Sequence, residues 1–525
     1  MAFARLLKSP AFPAAAALLT FLGVWAAFFP GGLSYEFCHY GDIGRHIARG
    51  QGYRTQILYP ADAALVRSQG GTLLPNAPVA SRFPLYSLLT GAAVMIAGER
   101  DAAVLALQAL LAAACAAAAC WVLLTFFGGE FAAPAALLFI LSPSILRGFA
   151  FWGYPDLLFC LLLLLFNRAW LKRENPYLLG LLAGLCWLAR PNFLLWVPVY
   201  AWLALRARPF DRGARRRWLK IAAGGAAAAV PYCVYQLAHG GSVFNPNFIW
   251  NLAYDTLLPQ PGWHYYRVFS WSEFGLEHIP LILAKGGRGI LDFLKSLPGL
   301  WQLGVLLPLS GCGFYLAFRD RKNPGAEWLR LQLYLLVAQA AVFSFLRYES
   351  LGQHVSGRYY LWFAPAYTAS ACWAVVELVK DVKLRRRLLL TGAAALLVWF
   401  ARFYTLPEAG FGHPQGHPSN WSEIQALRKL PLRGGYLATN IPALAGWYAD
   451  VPSVLVPATL PGFRRLEADL KVKWLYLSAA RVGQLVSFPL WRDIMRSPAS
   501  LREFCGRAGY RVAEVFPMGV LLEKI

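Results

Sequence analysis

Residues 35–53 combine several side chains that could act together in one reaction. This stretch carries two carboxylates, two histidines and two arginines: Glu36, Asp42, His39, His46, Arg45 and Arg49. A carboxylate can take a proton from a hydroxyl, and the planar guanidinium group of arginine matches the oxygens of a phosphate. A simple connector between apolar segments does not need this density of charge. We interpret the stretch as one wall of an active site, with Asp42 as its base.

Further ionisable residues lie at the edges of apolar segments: Arg82, Asp156, Arg190, Glu273, His354 and Arg358. Charged groups at such positions are costly in a membrane, so their default interpretation is functional. Two carboxylates and several arginines on one face would suit a reaction in which a hydroxyl attacks and a phosphate leaves.

Structural alternatives remain open for each residue. Asp is a favoured N-cap, so Asp42 could cap a helix that begins at Ile43, and Asp156 after Pro155 could start a helix in the same way. Arg82 could extend toward the membrane surface at the start of a span. Arg190 could stabilise a helix break, and Arg358 could anchor a loop.

The composition indicates a membrane protein. Of the 525 residues, 58% are hydrophobic and 15% are charged, and the mean hydropathy is +0.44. Soluble domains average about 25% charged residues. The net charge of +23 lies in short basic runs between apolar segments, which is typical of membrane topology rather than of nucleic-acid binding. We therefore expect a polytopic α-helical protein with membrane lipids, and no nucleic acid, as partners.

Long apolar segments predict about 11–13 transmembrane helices. After residues 1–30 they lie at roughly 83–98, 102–126, 131–147, 156–171, 177–189, 192–206, 218–239, 299–318, 328–346, 359–379 and 386–405. The sequence Arg190-Pro191-Asn192 predicts a break between two short helices. Basic runs at 172–173, 206–220, 319–322 and 380–387 should be cytoplasmic, which places the loops 31–81 and 240–298 outside. The number of crossings between Arg100 and Asp156 stays open.

The last part of the chain has a different pattern. Short strand-like runs at 435–439, 453–456 and 474–477 precede a helical pattern around 498–509 and two final strands at 511–516 and 518–523. We predict a membrane domain over 1–405 and a small exterior α/β domain over 406–525. Seven of the nine cysteines lie in apolar runs, and a Cys38–Cys505 disulfide is not favoured.

Several motifs together resemble those of GT-C membrane glycosyltransferases. Residues 42–50, Asp-Ile-Gly-Arg-His-Ile-Ala-Arg-Gly, are similar to the first-loop signature of the family 39-like branch, which includes protein O-mannosyltransferases and lipid A aminoarabinose transferases. Residues 82–86 resemble the Lys-Pro-Pro-Leu-Tyr segment of that branch. The resemblance extends to Asp156 after Tyr-Pro, to Arg190-Pro191, to Arg358-Tyr359 and to the tail around 438–442 and Tyr448. Ile43 stands where many relatives carry a second acid, so metal use is left open.

The resemblance implies transfer of a sugar, with inversion, from a polyprenyl-phosphate donor to an acceptor hydroxyl of a lipid, glycan or protein. Asp42 would be the base, Asp156 would orient the acceptor or help to bind a divalent cation, and Arg82, Arg190 and Arg358 would bind the donor phosphate. The acceptor or sugar would be bound by Trp263, Tyr265, Tyr266, Glu273 and His354. The aromatic residues of that loop could equally form an interfacial belt.

Two other classes of function are compatible with parts of the sequence. A transporter or flippase of a lipid-linked or small polar substrate is the main alternative, although no internal repeat of the kind such proteins carry is visible. A non-catalytic scaffold for cell-envelope assembly is the third. We expect the protein to lie in the inner membrane with its active site facing the periplasm. We also expect it to be a monomer.

Overall fold

The computed structural model describes residues 9–28, 32–74, 76–129, 131–207, 211–239, 243–244, 246–320, 322–346, 357–405, 416–432, 434–479 and 489–525. The chain forms two compact units, each assembled from three stretches. Unit 1 comprises Met1–Phe29, Leu105–Pro231 and Leu283–Glu408, and unit 2 comprises Pro30–Val104, Tyr232–Ile282 and Ala409–Ile525. His354, a predicted site residue, lies outside the described residues.

Unit 1 is helical in the part that the structure describes. Its α-helices are Ala11–Phe28, most of Asp101–Phe127, Ala132–Ile140, Asp156–Leu171, Pro176–Ala189, Val197–Ala207, most of Arg212–His239 and of Ile279–Ser296, Leu307–Arg319, Pro324–Ser344, Ala364–Leu378 and Val382–Thr405. A π-helical turn, Ser144–Ala150, and the 3₁₀ turns Pro191–Trp196, Leu297–Gln302, Gly304–Leu306 and Gly357–Phe363 connect them.

Among the described residues, three helices are by themselves long and apolar enough to cross a membrane: Asp101–Phe127, Arg212–His239 and Val382–Tyr404. The pair Leu276–Gln302 and Gly304–Arg319, bent by 110°, could form a fourth span. Other predicted spans are built as shorter or broken helices. The segment predicted at 131–147, for example, is interrupted at Ser142-Pro143, because proline lacks the N–H that a continuing helix needs.

The break predicted at residues 190–192 is confirmed. The helix Pro176–Ala189 begins after Asn175, whose side chain accepts a hydrogen bond from the Tyr177 N–H at 2.9 Å. It ends at Arg190, whose backbone is extended (φ −150°, ψ 124°), and Pro191 opens a 3₁₀ turn. The extended residue before a proline follows from the clash between the proline ring and a helical predecessor.

Unit 2 combines helices with the strands. Its α-helices are Tyr35–Ala48, Pro60–Ser68, Pro84–Ala97, Asn247–Ala253, Ser422–Leu427, Pro442–Leu444, Leu460–Asp469, Pro489–Met495 and Pro498–Ala508, with a π-helical turn at Ala445–Ala449 and 3₁₀ turns at Gly262–His264, Trp271–Glu273, Leu276–His278 and Pro418–Asn420. The helix predicted around 498–509 is confirmed, and it ends at Gly509 in the left-handed conformation (φ 72°).

The strands of unit 2 form a small and a larger sheet. They are β1 (Arg54–Thr55), β2 (Ile57–Leu58), β3 (Ala77–Pro78), β4 (Leu437–Thr439), β5 (Ser453–Leu455), β6 (Trp474–Ser478), β7 (Tyr510–Phe516) and β8 (Gly519–Lys524). β1 pairs with β3, and the six-stranded sheet has the order β2-β5-β4-β6-β8-β7. Pairing is parallel from β2 to β6 and antiparallel from β6 to β7.

The larger sheet contains a strand from the predicted first loop. Ile57 of β2 pairs with Ser453 of β5, which also pairs with Leu437 of β4. The three strand runs and the final strand pair predicted after residue 406 are confirmed. The α/β structure is nevertheless larger than the predicted tail, because the segment after the first polar helix completes one edge of its sheet.

Candidate active site

The helix Tyr35–Ala48 positions the polar residues of the first loop. Ser34 is its N-cap and accepts a hydrogen bond from the Phe37 N–H at 3.4 Å. The alternative in which Asp42 caps a helix beginning at Ile43 is therefore wrong, because Asp42 lies in the middle of a helix that starts seven residues earlier.

Asp42 is fully buried within unit 2. Its Oδ2 accepts hydrogen bonds from the Thr55 hydroxyl at 2.8 Å and from the Gln56 backbone N–H at 3.0 Å. Its Oδ1 lies 3.6 Å from Nε2 of His46, one helical turn further along. The carboxylate thus joins the helix to the segment that contains β1 and β2.

Arg45 in this helix and Arg49 directly after it contact the segment 446–450. Arg45 donates to Oδ1 of Asp450 at 2.7 Å and to the Trp447 carbonyl at 2.6 Å, and its guanidinium lies 4.3 Å from the centroid of the Trp447 ring. Arg49 contacts both carboxylate oxygens of Glu99 at 2.7 Å. Burial acts to raise the pKa of Asp450, but the two arginines outweigh it and lower the pKa to about 2. These charges stabilise the fold around the helix.

Arg82 lies in a separate cluster of polar and aromatic side chains in unit 2. Its guanidinium is 5.7 Å from the Tyr40 ring centroid and 5.6 Å from that of Tyr59, and it donates to the Tyr59 hydroxyl at 3.5 Å. Burial acts to lower the pKa of Arg82, yet the combined negative potential of Glu36, Tyr59, Tyr40 and Asp62 outweighs it and raises the pKa. Arg82 is therefore a partly buried arginine surrounded by rings and acidic groups of unit 2.

Glu36 and His39 also belong to the Arg82 cluster. Glu36 is partly exposed in the first helical turn, and its charge is the largest one acting to raise the pKa of Arg82. His39 is buried, with its ring centroid 5.7 Å from that of Tyr59. Burial and the charge of Arg82 lower the pKa of His39 well below its usual range.

Asp62 is a buried carboxyl near Arg82 that sequence reasoning missed. It lies in the helix Pro60–Ser68, and its Oδ2 accepts a hydrogen bond from the Ser81 hydroxyl at 3.0 Å. Burial raises the pKa of Asp62 to about 6, against the opposing effect of Arg82. Only its place in a Pro-Ala-Asp helix start was visible in the sequence, and this pattern is common at ordinary helix N-termini.

Unit 1 brings three predicted site residues together. Arg190 donates to Oδ1 of Asp156 at 2.5 Å, and its guanidinium lies 4.9 Å from the Tyr359 ring centroid. Arg358 lies 4.9 Å from the same centroid, donates to the Tyr359 hydroxyl at 3.0 Å and lies 3.9 Å from the Tyr154 ring centroid. Two guanidinium groups and one carboxylate therefore surround two tyrosines. Neither tyrosine was predicted, although each lies within two positions of a predicted residue.

Gln339 fixes the backbone around this cluster. Its amide donates to the Tyr359 carbonyl at 2.9 Å, and its side-chain oxygen accepts from Asn192 and Trp362, each at 3.2 Å. Gln339 is fully buried. The helix Pro324–Ser344 thereby ties the turn after Arg190 to the turn that carries Arg358.

The predicted acceptor-binding residues of the 240–298 loop make internal contacts in unit 2. Tyr266 donates to Oδ2 of Asp469, and Trp263 and Tyr265 pack partly buried against apolar clusters. Glu273 accepts from the Ser270 N–H at 2.9 Å in a capping box. These contacts position the loop and leave its role in acceptor binding a prediction.

The described residues contain no group of three or more His, Cys, Asp or Glu side chains placed to hold a metal ion. All nine cysteines are free thiols. Asp42 and Arg82 lie in unit 2, and Asp156, Arg190 and Arg358 lie in unit 1. The structure thus gives two local clusters of arginines, aromatic rings and carboxyls, and each could bind an anionic group.

No protein-family model and no curated protein sequence matches the chain. Several solved structures match the chain. ArnT from Cupriavidus metallidurans, bound to undecaprenyl phosphate, is 14% identical, with 97% of this chain and 98% of that chain covered and a TM-score of 0.57. The oligosaccharyltransferase AglB from Archaeoglobus fulgidus, in complex with an inhibitory peptide and a dolichol-phosphate, is 11% identical, with 91% and 71% covered and a TM-score of 0.56.

The chain has the GT-C fold. At 11–14% identity the likeness establishes the architecture of the chain, and it confirms the predicted polytopic helical membrane protein with a small strand-containing region at the carboxyl end. The arginine clusters described above are candidate sites for an anionic group.

Proposed function

We propose that this GT-C protein is a glycosyltransferase that moves a sugar from a polyprenyl-phosphate donor to an acceptor hydroxyl, with inversion, on the periplasmic face of the inner membrane. The observation that carries the proposal is the likeness to ArnT over nearly the full length of both chains, since that protein was solved with undecaprenyl phosphate. AglB, solved with a dolichol-phosphate, supports the same ligand class.

The reaction needs a base and a group that holds phosphate. A carboxylate removes the proton from the acceptor hydroxyl, whose oxygen attacks the anomeric carbon. The bond from that carbon to the phosphate oxygen breaks, and the polyprenyl phosphate leaves with the bonding electrons. Arginines stabilise the charge on the leaving phosphate, so a general acid is unnecessary.

Arg82 in unit 2 and, separately, Arg190 and Arg358 in unit 1 are each proposed as phosphate ligands. Each is buried or partly buried beside aromatic rings, where a charged hydrogen bond is stronger than in water. In unit 1, two guanidinium groups and one carboxylate carry a summed charge of +1, which suits an anion. Asp156, held by Arg190, is proposed to orient the acceptor or to help bind a divalent cation.

Two carboxylates are candidates for the base. Asp42 stays a prediction, although both hydrogen bonds to its Oδ2 favour a structural contribution as well. Glu36 lies nearly two turns earlier in the same helix and is partly exposed, and its charge acts to raise the pKa of Arg82. Glu36 is partly exposed near a proposed phosphate ligand, whereas Asp42 is fully buried, so we propose Glu36 as the stronger candidate.

The acceptor would be a hydroxyl-bearing component of the cell envelope. We retain Trp263, Tyr265, Tyr266 and Glu273 as proposed acceptor- or sugar-binding residues, because aromatic faces stack on sugar rings. His354 completes the predicted set and lies outside the described residues.

The test is transfer from a radiolabelled polyprenyl-phosphate sugar by the full chain in proteoliposomes. We expect donor consumption by the wild type and a loss of about 10²-fold or more for the variant that lacks the base. The variants are Glu36→Gln and Asp42→Asn, with Glu503→Gln as the control because Glu503 is exposed and pairs with Arg507 on the surface.

The outcomes separate the candidates. Loss of transfer in Glu36→Gln with an unchanged melting temperature identifies Glu36 as the base, and full activity in that variant removes it. The same result for Asp42→Asn would assign the base to Asp42. Movement of the labelled lipid across the bilayer without cleavage of the donor would support the transporter alternative and refute the proposal.

A further inference from the structure

Five helix ends of unit 1 surround a cavity of about 770 Å³. The lining residues come from the carboxyl ends of Asp156–Leu171, Val197–Ala207 and Leu307–Arg319 and from the amino-terminal parts of Arg212–His239 and Pro324–Ser344. Trp170, in the wall, is fourteen residues from Asp156 along one helix, or roughly 21 Å at 1.5 Å per residue. The cavity is therefore a separate site from the arginine cluster at Asp156.

Arginines dominate the charge of this cavity. Its wall contains four arginines and two carboxylates, with a formal net charge of +2: Arg173, Arg206, Arg217, Arg330, Asp211 and Glu327. Arg330 donates to the carbonyls of Ala317 and Asp320 and so closes a helix end. Arg173 and Arg206 are exposed, and neither forms an ion pair within the described part of the chain. Their exposure leaves both guanidinium groups accessible to an anion, and that of Arg206 also lies 5.6 Å from the Trp202 ring centroid.

The remaining wall is apolar and aromatic. The rings of Trp170 and Trp218 are 6.1 Å apart, and those of Phe318 and Tyr334 are 6.2 Å apart. Phe318 and Leu205 are 43% and 55% exposed, so the apolar surface continues outward from the cavity. Trp and Tyr beside arginines are typical of the level at which lipid head groups meet acyl chains.

We propose that this cavity binds the head group of an anionic diacyl phospholipid of the cytoplasmic leaflet. The arginines receive the phosphodiester, and the aromatic and leucine side chains receive the first part of the acyl chains. The basic runs predict that this end of the helices lies on the cytoplasmic side, where basic pockets between transmembrane helices bind anionic head groups. A zwitterionic lipid lacks the net charge, and a soluble phosphate ester lacks the acyl chains.

Native mass spectrometry of the full chain, released from detergent with defined lipids, tests the proposal. The lipids are phosphatidylglycerol and phosphatidylcholine with identical acyl chains, and glycerol 3-phosphate is the soluble competitor. We expect the wild type to retain phosphatidylglycerol at least about tenfold better than phosphatidylcholine. The variant R173Q/R206Q should lose roughly 30-fold in retention, since each basic residue near a membrane surface contributes about a fivefold preference.

The control variant K383Q/R386Q removes the same charge from exposed positions of another basic run that does not line the cavity. It should retain the lipid like the wild type. If the double variant does not fold, Arg206→Gln alone should lose about fivefold. Equal losses in the control, equal retention of phosphatidylcholine, or displacement by glycerol 3-phosphate at equal concentration would each overturn the proposal.

Discussion

The Arg190 guanidinium donates to the Asp156 carboxylate at 2.5 Å, across 34 positions of the chain. Both side chains are nearly buried, with exposures of 11% and 4%. Removing one partner of such a pair leaves an uncompensated charge in a poorly hydrated place, which costs more than an exposed ion pair contributes. We therefore expect the pair to stabilise unit 1, whatever its part in catalysis.

We predict that Arg190→Gln or Asp156→Asn lowers the free energy of unfolding by about 3 kcal/mol or more. The control is Arg507→Gln, because Arg507 pairs with Glu503 at 76% and 59% exposure and the substitution should change the free energy of unfolding by less than about 1 kcal/mol. Thermal unfolding in detergent gives both values. A double variant as stable as either single variant is expected, and fully additive losses would show that the two groups are not coupled.

Arg82 is predicted to bind the donor phosphate. Arg82→Gln should weaken polyprenyl phosphate binding about tenfold or more. The affinity of Arg82→Lys should lie between those of the wild type and Arg82→Gln, because an ammonium group lacks the planar fork of guanidinium. Isothermal titration calorimetry measures the affinity. The control is Arg67→Gln, an exposed arginine that pairs with Asp469. Unchanged affinity in Arg82→Gln would remove this residue from the phosphate site.

Asp62 should make stability depend on pH. Burial raises its pKa from 3.8 to about 6 in the folded protein, so the folded state holds the proton more tightly than the unfolded state. This contribution is complete below about pH 4 and is lost as the pH rises through 6, for a total of about 3 kcal/mol. Asp62→Asn should thus gain stability relative to the wild type between pH 4 and 7. A pH-independent difference in melting temperature between the two proteins would contradict this.

Gly180 permits close packing of two helices in unit 1. A Cβ at this position would lie 2.0 Å from the Ile221 carbonyl oxygen, and one at Gly184 would lie 2.7 Å from the Ala228 Cβ. Small residues spaced by four are typical of close helix contacts in membranes. Gly180→Ala should lower the free energy of unfolding by about 1–3 kcal/mol. The control Gly392→Ala, with open space around the Cβ, should be neutral or stabilising in the same thermal assay.

Much of the fold follows from local sequence. Apolar runs specify helices because each residue contributes to a continuous lipid- or core-facing surface, and Pro191 specifies a break by steric exclusion. The strand runs after residue 435 and the Gly509 helix end are local patterns as well. The start of the helix in the first loop was harder to predict, because its N-cap is Ser34 and not Asp42.

The sequence by itself determined the class of protein, the helix break and the residue types available for phosphate chemistry. Only the tertiary structure decided which of them meet: Arg190 and Arg358 at Tyr359 with Asp156, Arg82 with Tyr59 near Glu36, and Asp42 with Thr55. The physical reason is the distance along the chain over which each kind of interaction acts. Helix and strand formation depends on neighbours within a few positions, whereas the pairing of charges depends on which helices pack together and how far each side chain is removed from water.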